Sequence, residues 1–220
     1  MNEYYIWGTV SSIFFLASIP AIFHQLQVIW KRKRLRRQGS LHESASQSIS
    51  VNQVFSSYCG VSSFFLFGLV LDSPDPFLVY PRVLVGLLLF FVVMEIYKDR
   101  RDRPSTVACV VCMCSLFVPI ILILTGMRSL RSVQVASHAV VCAAAIVMAQ
   151  GALSQWLLLK RTGRRGAVSL PMHLVLYGKD FTGMMFGFQI GFDAWSIILM
   201  HGTNLIIRAP IIYSYVKAVR

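Results

Sequence analysis

Long apolar stretches separated by short polar segments run along nearly the whole chain. Each stretch is roughly 18 residues or longer, which is enough for a helix to cross a hydrocarbon layer about 30 Å thick. The predicted helices are 5–30, 51–71, 77–97, 105–125, 133–159, 170–192 and 194–216. We therefore expect an all-α integral membrane protein with seven transmembrane helices.

The composition supports the same class of protein. Hydrophobic residues make up 56% of the 220 residues and charged residues only 14%. Soluble domains average about 45–50% apolar and about 25% charged residues. The first apolar stretch carries its basic cluster behind it and lacks a small-x-small cleavage site, so it predicts an uncleaved span and not a signal peptide.

The net charge of +12 is distributed unevenly between the two predicted sides of the membrane. Arg82, Arg128 and Arg131 lie on one side. Most other basic residues lie on the opposite side, in segments 31–37, 98–103, 160–165 and 217–220. The positive-inside rule then predicts an outside N-terminus and a cytoplasmic C-terminus. No aromatic–basic module accompanies these loops, so we expect them to face the lipid bilayer and expect no nucleic-acid partner.

Two parts of the chain carry matching residues at matching offsets. Gln25 and Gln155 each stand near the end of a predicted helix, before basic residues. The other matched pairs are Ser50 with Ser169, Tyr58 with Tyr177, Gly86 with Gly202, and Tyr97 with Tyr213. We predict two three-helix repeats, 1–98 and 133–220, joined by a linker helix within 99–132. An odd linker orients both triple-helix bundles alike, the parallel 3-1-3 arrangement of some transporters, with the substrate site between the halves near the midplane.

Short motifs within these repeats resemble a known superfamily. Each glutamine is followed by basic residues, and Ile49-Ser50 and Val168-Ser169 open the next helices. Together with the 3-1-3 pattern, these motifs resemble the PQ-loop superfamily, which includes SWEET sugar transporters and cystinosin. His24 and Ser154 stand where the namesake proline of that family precedes each glutamine.

The resemblance implies a transporter built from two triple-helix bundles that alternate in access. It also marks Pro20 as a gating candidate, and Gln25 and Gln155 are gating candidates because of their position near the cytoplasmic ends of their predicted helices. Pro210 is a further gating candidate for a chemical reason, because a proline inside a helix removes a backbone hydrogen bond and permits a bend.

Charged residues lie deep in the last two predicted helices. A charge at the bilayer centre costs about 2.5–3.5 kcal/mol on insertion scales, so it normally faces a partner or a cavity. Asp180 lies about ten residues into the sixth predicted helix, and Arg208 lies about eight residues before the end of the seventh, at similar depths for a rise of about 1.5 Å per residue. The sequence therefore predicts an Asp180–Arg208 ion pair.

Two interpretations of these charges stay open. The pair is a structural contact, or it belongs to a site in which Lys179 and Arg208 leave one excess positive charge beside Asp180, unless burial deprotonates Lys179. That excess would suit a substrate carboxylate, and a carboxylate that alternates between protonated and paired states can relay protons. The fold alone does not require these groups, because at their offsets the first repeat has Gly60, Val61 and Val92.

The resemblance extends to this segment. Asp180, Thr182 and Gly183, with Gln189 nine residues beyond the aspartate, resemble the sixth helix of cystinosin-type members. The resemblance implies that Asp180 is the proton-coupling acid.

Other polar residues complete the predicted site. Asn204, in the context HGTNL, resembles the substrate-facing asparagine of SWEETs, or forms an interhelical hydrogen bond. The predicted substrate-binding residues are Tyr177, Lys179, Gln189, Asn204 and Arg208. His201 is most simply a packing or interface residue, although an imidazole titrates near neutral pH.

The sequence thus favours a transporter that moves a small polar metabolite, an amino acid or other carboxylate in preference to a sugar, by alternating access with proton coupling. The predicted partners are the solute, protons and the lipid bilayer, with a homo-oligomer left open. The short N-terminal arm and the absence of an N-x-Ser/Thr site favour a bacterial inner membrane over an organelle membrane. No catalytic constellation, cofactor motif or metal-ligand spacing is present, so we do not expect an enzyme.

The alternative is a receptor or sensor of the same fold that recruits partners instead of moving solute. Its basis is the predicted first loop, KRKRLRRQGSLHESASQS, which is long, basic and then serine-rich. That loop is otherwise a solvated linker that obeys the positive-inside rule.

Overall fold

Helices account for the regular structure of the described chain. A computed structural model describes the backbone of residues 2–40, 44–46, 49–162 and 170–217, with side chains except those at 128, 151, 154–155, 158–162, 170–173 and 214–217. The helices are α1 (Glu3–Leu16), α2 (Ile19–Arg37), α3 (Val51–Val70), α4 (Pro76–Arg100), α5 (Arg103–Leu124), α6 (Arg131–Thr162), α7 (Leu170–Ile190) and α8 (Trp195–Lys217). Short 3-10 turns lie at Met127–Ser129 and Phe192–Ala194. The predicted helices are thereby confirmed to within a few residues, except that the first is divided into α1 and α2.

The helices are apolar enough for a membrane. Six segments of the described chain, counting Glu3–Arg37 as one, are long and apolar enough to cross a bilayer. Helix α7 adds 21 residues to this set of long helices. This pattern indicates an integral membrane protein. The 3-1-3 arrangement of the helices stays a prediction.

A proline explains the division of the first predicted helix. Pro20 is the second residue of α2, after Ser18 at the N-cap. Because proline has no N–H and its ring clashes with the carbonyl four residues earlier, α1 cannot continue past Leu16. The break falls at residues 17–18.

Side-chain caps fix the starts of three helices. The Ser50 hydroxyl accepts a hydrogen bond from the N–H of Gln53 at 3.4 Å, at the start of α3. Asp75 accepts from the N–H of Leu78 at 3.0 Å and begins α4. Asp102 begins α5 in the same way. Such caps satisfy backbone donors that a helix leaves open at its first turn.

The chain divides into two compact units. The terminal unit comprises Met1–Phe15 and His138–Arg220, and the central unit comprises Leu16–Ser137. In the central unit α3 packs on α4, α5 packs against both of these helices, and α2 packs against α4. Gly68 permits the close approach of α3 to α4, since a Cβ there would lie 2.5 Å from that of Leu78. The predicted repeat boundaries concern sequence similarity and stay a prediction.

In the terminal unit α7 and α8 pack along each other. Aromatic residues of α1 cover α7, and these contacts pair Tyr4 with Phe186 and Trp7 with Phe181. The described part of α6 contacts α8 through His138, which stacks on Trp195 at 5.2 Å between ring centroids and lies 2.9 Å from the Ser196 hydroxyl.

Polar contacts fasten the segment after α2 to the basic end of α4. Asp99 Oδ2 accepts from the Ser46 N–H at 2.8 Å, the Ser46 hydroxyl at 2.8 Å and the Ser44 hydroxyl at 2.5 Å. The other oxygen, Oδ1, accepts from Arg36 at 3.2 Å. Arg100 donates to the carbonyls of Ser46 and Ile49. We call this group of contacts the loop clasp.

Arg82 lies inside a helix and not in a loop. It is the seventh residue of α4 and is only 3% exposed. Its guanidinium donates to the carbonyls of Phe77 at 2.7 Å and Leu78 at 3.4 Å and lies 5.3 Å from the centre of the Phe64 ring. These contacts let the charge turn towards the start of α4 while the residue stays buried.

Candidate functional site

A buried carboxylate with three basic neighbours lies between α7 and α8. Asp180 has no exposed surface. Arg208 Nε donates to Asp180 Oδ2 at 3.0 Å. The Nδ1 atom of His201 lies 3.0 Å from Oδ1, and the Nζ atom of Lys179 lies 3.5 Å from the same oxygen. These four residues are called the Asp180 cluster below.

Small residues on α7 and α8 make this geometry possible. A side chain at Gly183 would overlap the imidazole ring of His201, and one at Gly187 would lie 2.9 Å from Ile198. Gly202 on α8 faces Met184, with room for a Cβ at 3.8 Å from the sulfur. Membrane helices approach closely where such residues line their interface. The glycine three residues after Asp180 therefore gives His201 the space to reach the carboxylate.

Lys179 lies beside the carboxylate that follows it in sequence. Its side chain is 14% exposed, and its Nζ lies 5.8 Å from the centre of the Phe15 ring. An aromatic face and a carboxylate are both partners that attract an ammonium group. The cluster therefore places two basic side chains, Lys179 and Arg208, beside one acidic side chain.

One face of α8 supplies the remaining polar groups. His201, Asn204 and Arg208 follow at spacings of three and four residues, so they share a side of the helix. Asn204 is 3% exposed, and its amide makes no hydrogen bond with the described residues. Pro210 lies inside α8, two residues after Arg208. The helix thus carries a histidine, an amide and a guanidinium over two turns.

The structure joins some of the predicted site residues and not others. Asp180, Lys179 and Arg208 come together, and the predicted Asp180–Arg208 ion pair is present. Tyr177 is half-buried one turn before Asp180, whereas Gln189 stands nine residues beyond it, near the end of α7. Neither makes a hydrogen bond to the cluster among the described side chains.

The predicted gating residues lie in several places. Pro20 and half-buried Gln25 belong to the central unit, on α2. Pro210 belongs to α8 of the terminal unit. The backbone of Gln155 lies in α6, but its side chain is outside the described residues. Their gating roles stay predictions.

His201 has a contact that the sequence did not predict. We expected a packing or interface residue, and its ring, 4% exposed at the interface of α7 and α8, also binds Asp180. The contact depends on how α7 and α8 are rotated about their axes, which hydropathy does not specify. A usable signal was present, because His201 lies seven residues before Arg208 on the same helical face.

A separate cavity lies in the central unit. Its volume is about 180 Å³, and it is bounded by α3, α4 and α5. The polar residues that line it are Tyr58, Ser62 and Arg82. Tyr58 donates to the Cys112 carbonyl at 3.1 Å and contacts the Ser115 hydroxyl at 2.7 Å. None of the residues lining this cavity belongs to the Asp180 cluster.

The side chains of the described residues offer no group of three or more His, Cys, Asp or Glu that could hold a metal ion. Within the Asp180 cluster the available chemistry is charge pairing, hydrogen bonding and proton exchange at an imidazole.

The fold is similar to that of a solved membrane transporter. A eukaryotic SWEET transporter, solved at 3.7 Å, superposes with a TM-score of 0.74 over 99% of this chain and 97% of that chain, at 14% sequence identity. No family model matches the sequence, and no curated protein matches it. The chain therefore has a SWEET-like helical membrane fold, and at this identity the likeness concerns the fold alone.

Proposed function

We propose that this chain is a membrane transporter that moves a small polar solute by alternating access between two triple-helix bundles. The SWEET-like fold over nearly the whole chain supports this class. So does the choice of residues in α7 and α8, since ionisable groups within membrane helices are rare and usually mark solute or proton pathways.

The observation that carries the proposal is the environment of Asp180. The carboxylate has no exposed surface, yet an arginine and a histidine from α8 and a lysine from α7 contact it. A purely structural pair would need one cation. The additional basic groups leave the cluster with one excess positive charge even when His201 is neutral.

That excess indicates the class of solute. A solute carboxylate would neutralise it in a place where water is scarce and charge pairing is strong. The amide of Asn204, on the same face of α8, offers two donors and an acceptor to the rest of the solute. We therefore favour an amino acid or another carboxylate over a sugar, with Tyr177 and Gln189 as further contacts along α7.

Proton coupling belongs to the same proposal. Solute binding changes the charge within the Asp180 cluster, and a proton bound by an ionisable group of the cluster can balance that change. The proposed orientation has the N-terminus outside and the C-terminus in the cytoplasm, in a bacterial inner membrane in preference to an organelle membrane.

Reconstituted protein tests the proposal. Proteoliposomes would be supplied with radiolabelled L-alanine, L-glutamate, succinate or glucose, with and without an inward proton gradient. We expect uptake of at least one carboxylate solute, stimulated by the gradient, and its loss in Asp180→Asn. The matched control is Asp193→Asn, an exposed carboxylate of the same unit. Unchanged gradient-driven uptake in Asp180→Asn would contradict the role of Asp180, and uptake of glucose alone would contradict the solute class.

A receptor or sensor of the same fold is the second candidate. Lys31, Arg34 and Arg37 are exposed on the last two turns of α2 and form a basic surface that a partner protein could bind. Replacing these three residues by glutamine leaves the Lys33–Glu95 and Arg36–Asp99 pairs in place. A transporter should keep its flux after this change, whereas a receptor should lose its bound partner in a pull-down.

A further inference from the structure

Asp180 has three basic neighbours, and only one of them changes charge easily near neutral pH. The guanidinium of Arg208 is permanently charged. Lys179 keeps its charge beside the carboxylate and the Phe15 ring. An imidazole, in contrast, gains and loses a proton between about pH 5 and 8. We propose that His201, and not Asp180, is the group that takes up and releases the transported proton, an inference that rests on the proposed function.

The geometry assigns Asp180 a different role. Its two oxygens face Arg208 at 3.0 Å and His201 at 3.0 Å, with Lys179 at 3.5 Å. Hydrogen bonds and positive charges of this kind stabilise the ionised form of a carboxyl group. Asp180 therefore stays negative through the cycle and serves as the fixed counter-ion of the imidazole.

The same contact determines which ring nitrogen exchanges the proton. An ionised carboxylate can only accept hydrogen bonds, so Nδ1 of His201 carries a hydrogen and donates it to Asp180 Oδ1. The proton is then gained and lost at Nε2. That nitrogen faces Gly183, where a Cβ would overlap it. Because residue 183 is glycine, the His201 ring can occupy this position, with Nε2 next to the backbone of α7.

Among the described side chains, the other ionisable groups near α8 lie at other levels of the helix or have other partners. Helix α7 presents Asp180 and Lys179. The 3-10 turn before α8 presents Asp193, eight residues from His201 or about 12 Å along a helix. Helix α6 presents His138, which lies against Trp195 and Ser196, about one and a half turns from His201. The charge of His201 is consequently governed by the other members of the Asp180 cluster.

Protonation of His201 and binding of an anion then favour each other. With a neutral imidazole the cluster has a net charge of +1, and with a charged imidazole +2. A solute carboxylate binds better to the second state, and by reciprocity its binding increases proton occupancy. One proton enters Nε2 from the side where the solute binds and leaves where the solute dissociates. This linkage predicts cotransport of a proton with a carboxylate solute.

Flux measurements test the assignment. Uptake of ¹⁴C-succinate and ¹⁴C-alanine would be followed in proteoliposomes with equal pH inside and outside, from pH 8 to pH 5.5. We expect the affinity of the wild type for the better substrate to rise about tenfold as the pH falls. The affinity of the His201→Gln variant for the same substrate should change less than about twofold over this pH range. The matched control is His138→Gln, which should keep the wild-type pH profile; a pH-dependent His201→Gln protein would overturn the proposal.

A second measurement does not require transport. Ring-labelled histidine in the detergent-solubilised full chain gives one NMR signal for each of the five histidines, and the signal missing in His201→Gln identifies its ring. We expect this ring to titrate between about pH 5 and 8 and its midpoint to move when Asp180→Asn removes the counter-ion. A ring that keeps one charge state across this range would overturn the proposal. If none of the solutes is transported but the His201 ring still titrates, the proposed transporter function is contradicted. The proton site at His201 is then still supported.

Discussion

Arg208 donates its Nε to Asp180 Oδ2 over 3.0 Å, joining α8 to α7 through side chains that are 12% and 0% exposed. Removing two charges from water is costly, and a buried pair repays that cost only where the geometry is good and the remaining groups are bonded. Here His201 bonds the second oxygen. The pair therefore contributes less to net stability than its Coulomb energy suggests, but either member becomes costly when left alone.

Arg208→Gln should strongly destabilise the terminal unit. It leaves Asp180 buried with fewer positive neighbours, and breaking a buried pair from one side costs about 3–5 kcal/mol. Unfolding in detergent micelles by added SDS, followed by tryptophan fluorescence, measures the change. Arg131→Gln, at an exposed position at the start of α6, is the control and should lie within about 0.5 kcal/mol of wild type.

The double variant Asp180→Asn with Arg208→Gln should lose less stability than the two single changes added together. Both charges are then absent, so no uncompensated ion stays buried. The expected coupling is about 0.5–3 kcal/mol. Additive losses would show that the two side chains act independently.

Gly183→Ala should disturb the Asp180 cluster without changing any charge. The new methyl group would overlap the His201 ring, and overpacking of this kind costs about 1–3 kcal/mol. Gly202→Ala is the matched control, since its Cβ would lie 3.8 Å from the Met184 sulfur, in ordinary contact. In the same unfolding assay, Gly183→Ala should be clearly less stable than Gly202→Ala. Equal stabilities of the two variants would refute the close approach of α7 and α8.

Hydropathy predicted most of the fold because a bilayer forces each span to be a long apolar helix. The seven predicted stretches correspond to observed helices within a few residues. The division of the first stretch was missed, although Pro20 carried a signal for it. In an average over a long window a single proline hardly changes the hydropathy, but it removes the backbone donor that would continue α1.

The sequence predicts contacts in the site only where the depth of a residue along its membrane helix determines its partner. Asp180 and Arg208 were expected to pair because equal depth in consecutive helices brings two charges to one level. His201 was not, because its contact depends on helix rotation and on the glycine at 183. The loop clasp was also missed, since the positions of residues 44–46 and 49 depend on contacts with Asp99 and Arg100.

Asn204→Leu should separate the two roles considered for this amide. Leucine has a similar volume but no hydrogen-bonding group, and the amide makes no hydrogen bond with the described residues. We expect stability close to that of the wild type, because the change keeps the side-chain volume and removes no hydrogen bond to the described residues. KM for the transported carboxylate should rise about tenfold or more, as when a solute loses a dedicated hydrogen bond.

Thr203→Ala is the neighbouring control for this change. Its hydroxyl donates to the Leu199 carbonyl within α8, so its loss should leave KM near the wild-type value. If Asn204→Leu instead lowers stability and leaves KM unchanged, the amide is an interhelical contact and not a solute ligand. Proteoliposome flux and SDS unfolding of the same preparations decide between the two results.

Asp99→Asn should open the loop clasp. The Asp99 carboxylate, 3% exposed, accepts four hydrogen bonds from Arg36, Ser44 and Ser46. Hydrogen bonds to charged groups are worth about 1.5–3 kcal/mol each, and even about 1.4 kcal/mol of lost local stability raises the open population tenfold. Trypsin should therefore cut the basic segment 31–37 at least about tenfold faster in this variant.

Asp102→Asn is the matched control for the clasp. This residue lies near the same end of α4 and accepts its side-chain hydrogen bond from the N–H of Ser105 at the start of α5, not from the serines of the clasp. Asparagine caps helices as well as aspartate does, so the cleavage rate should match that of the wild type. Equal rates for Asp99→Asn and the wild type would mean that the carboxylate does not hold the segment. A faster rate in both variants would point to a general loss of stability at this end of the central unit, because of the two replaced residues only Asp99 accepts hydrogen bonds from Ser44 and Ser46.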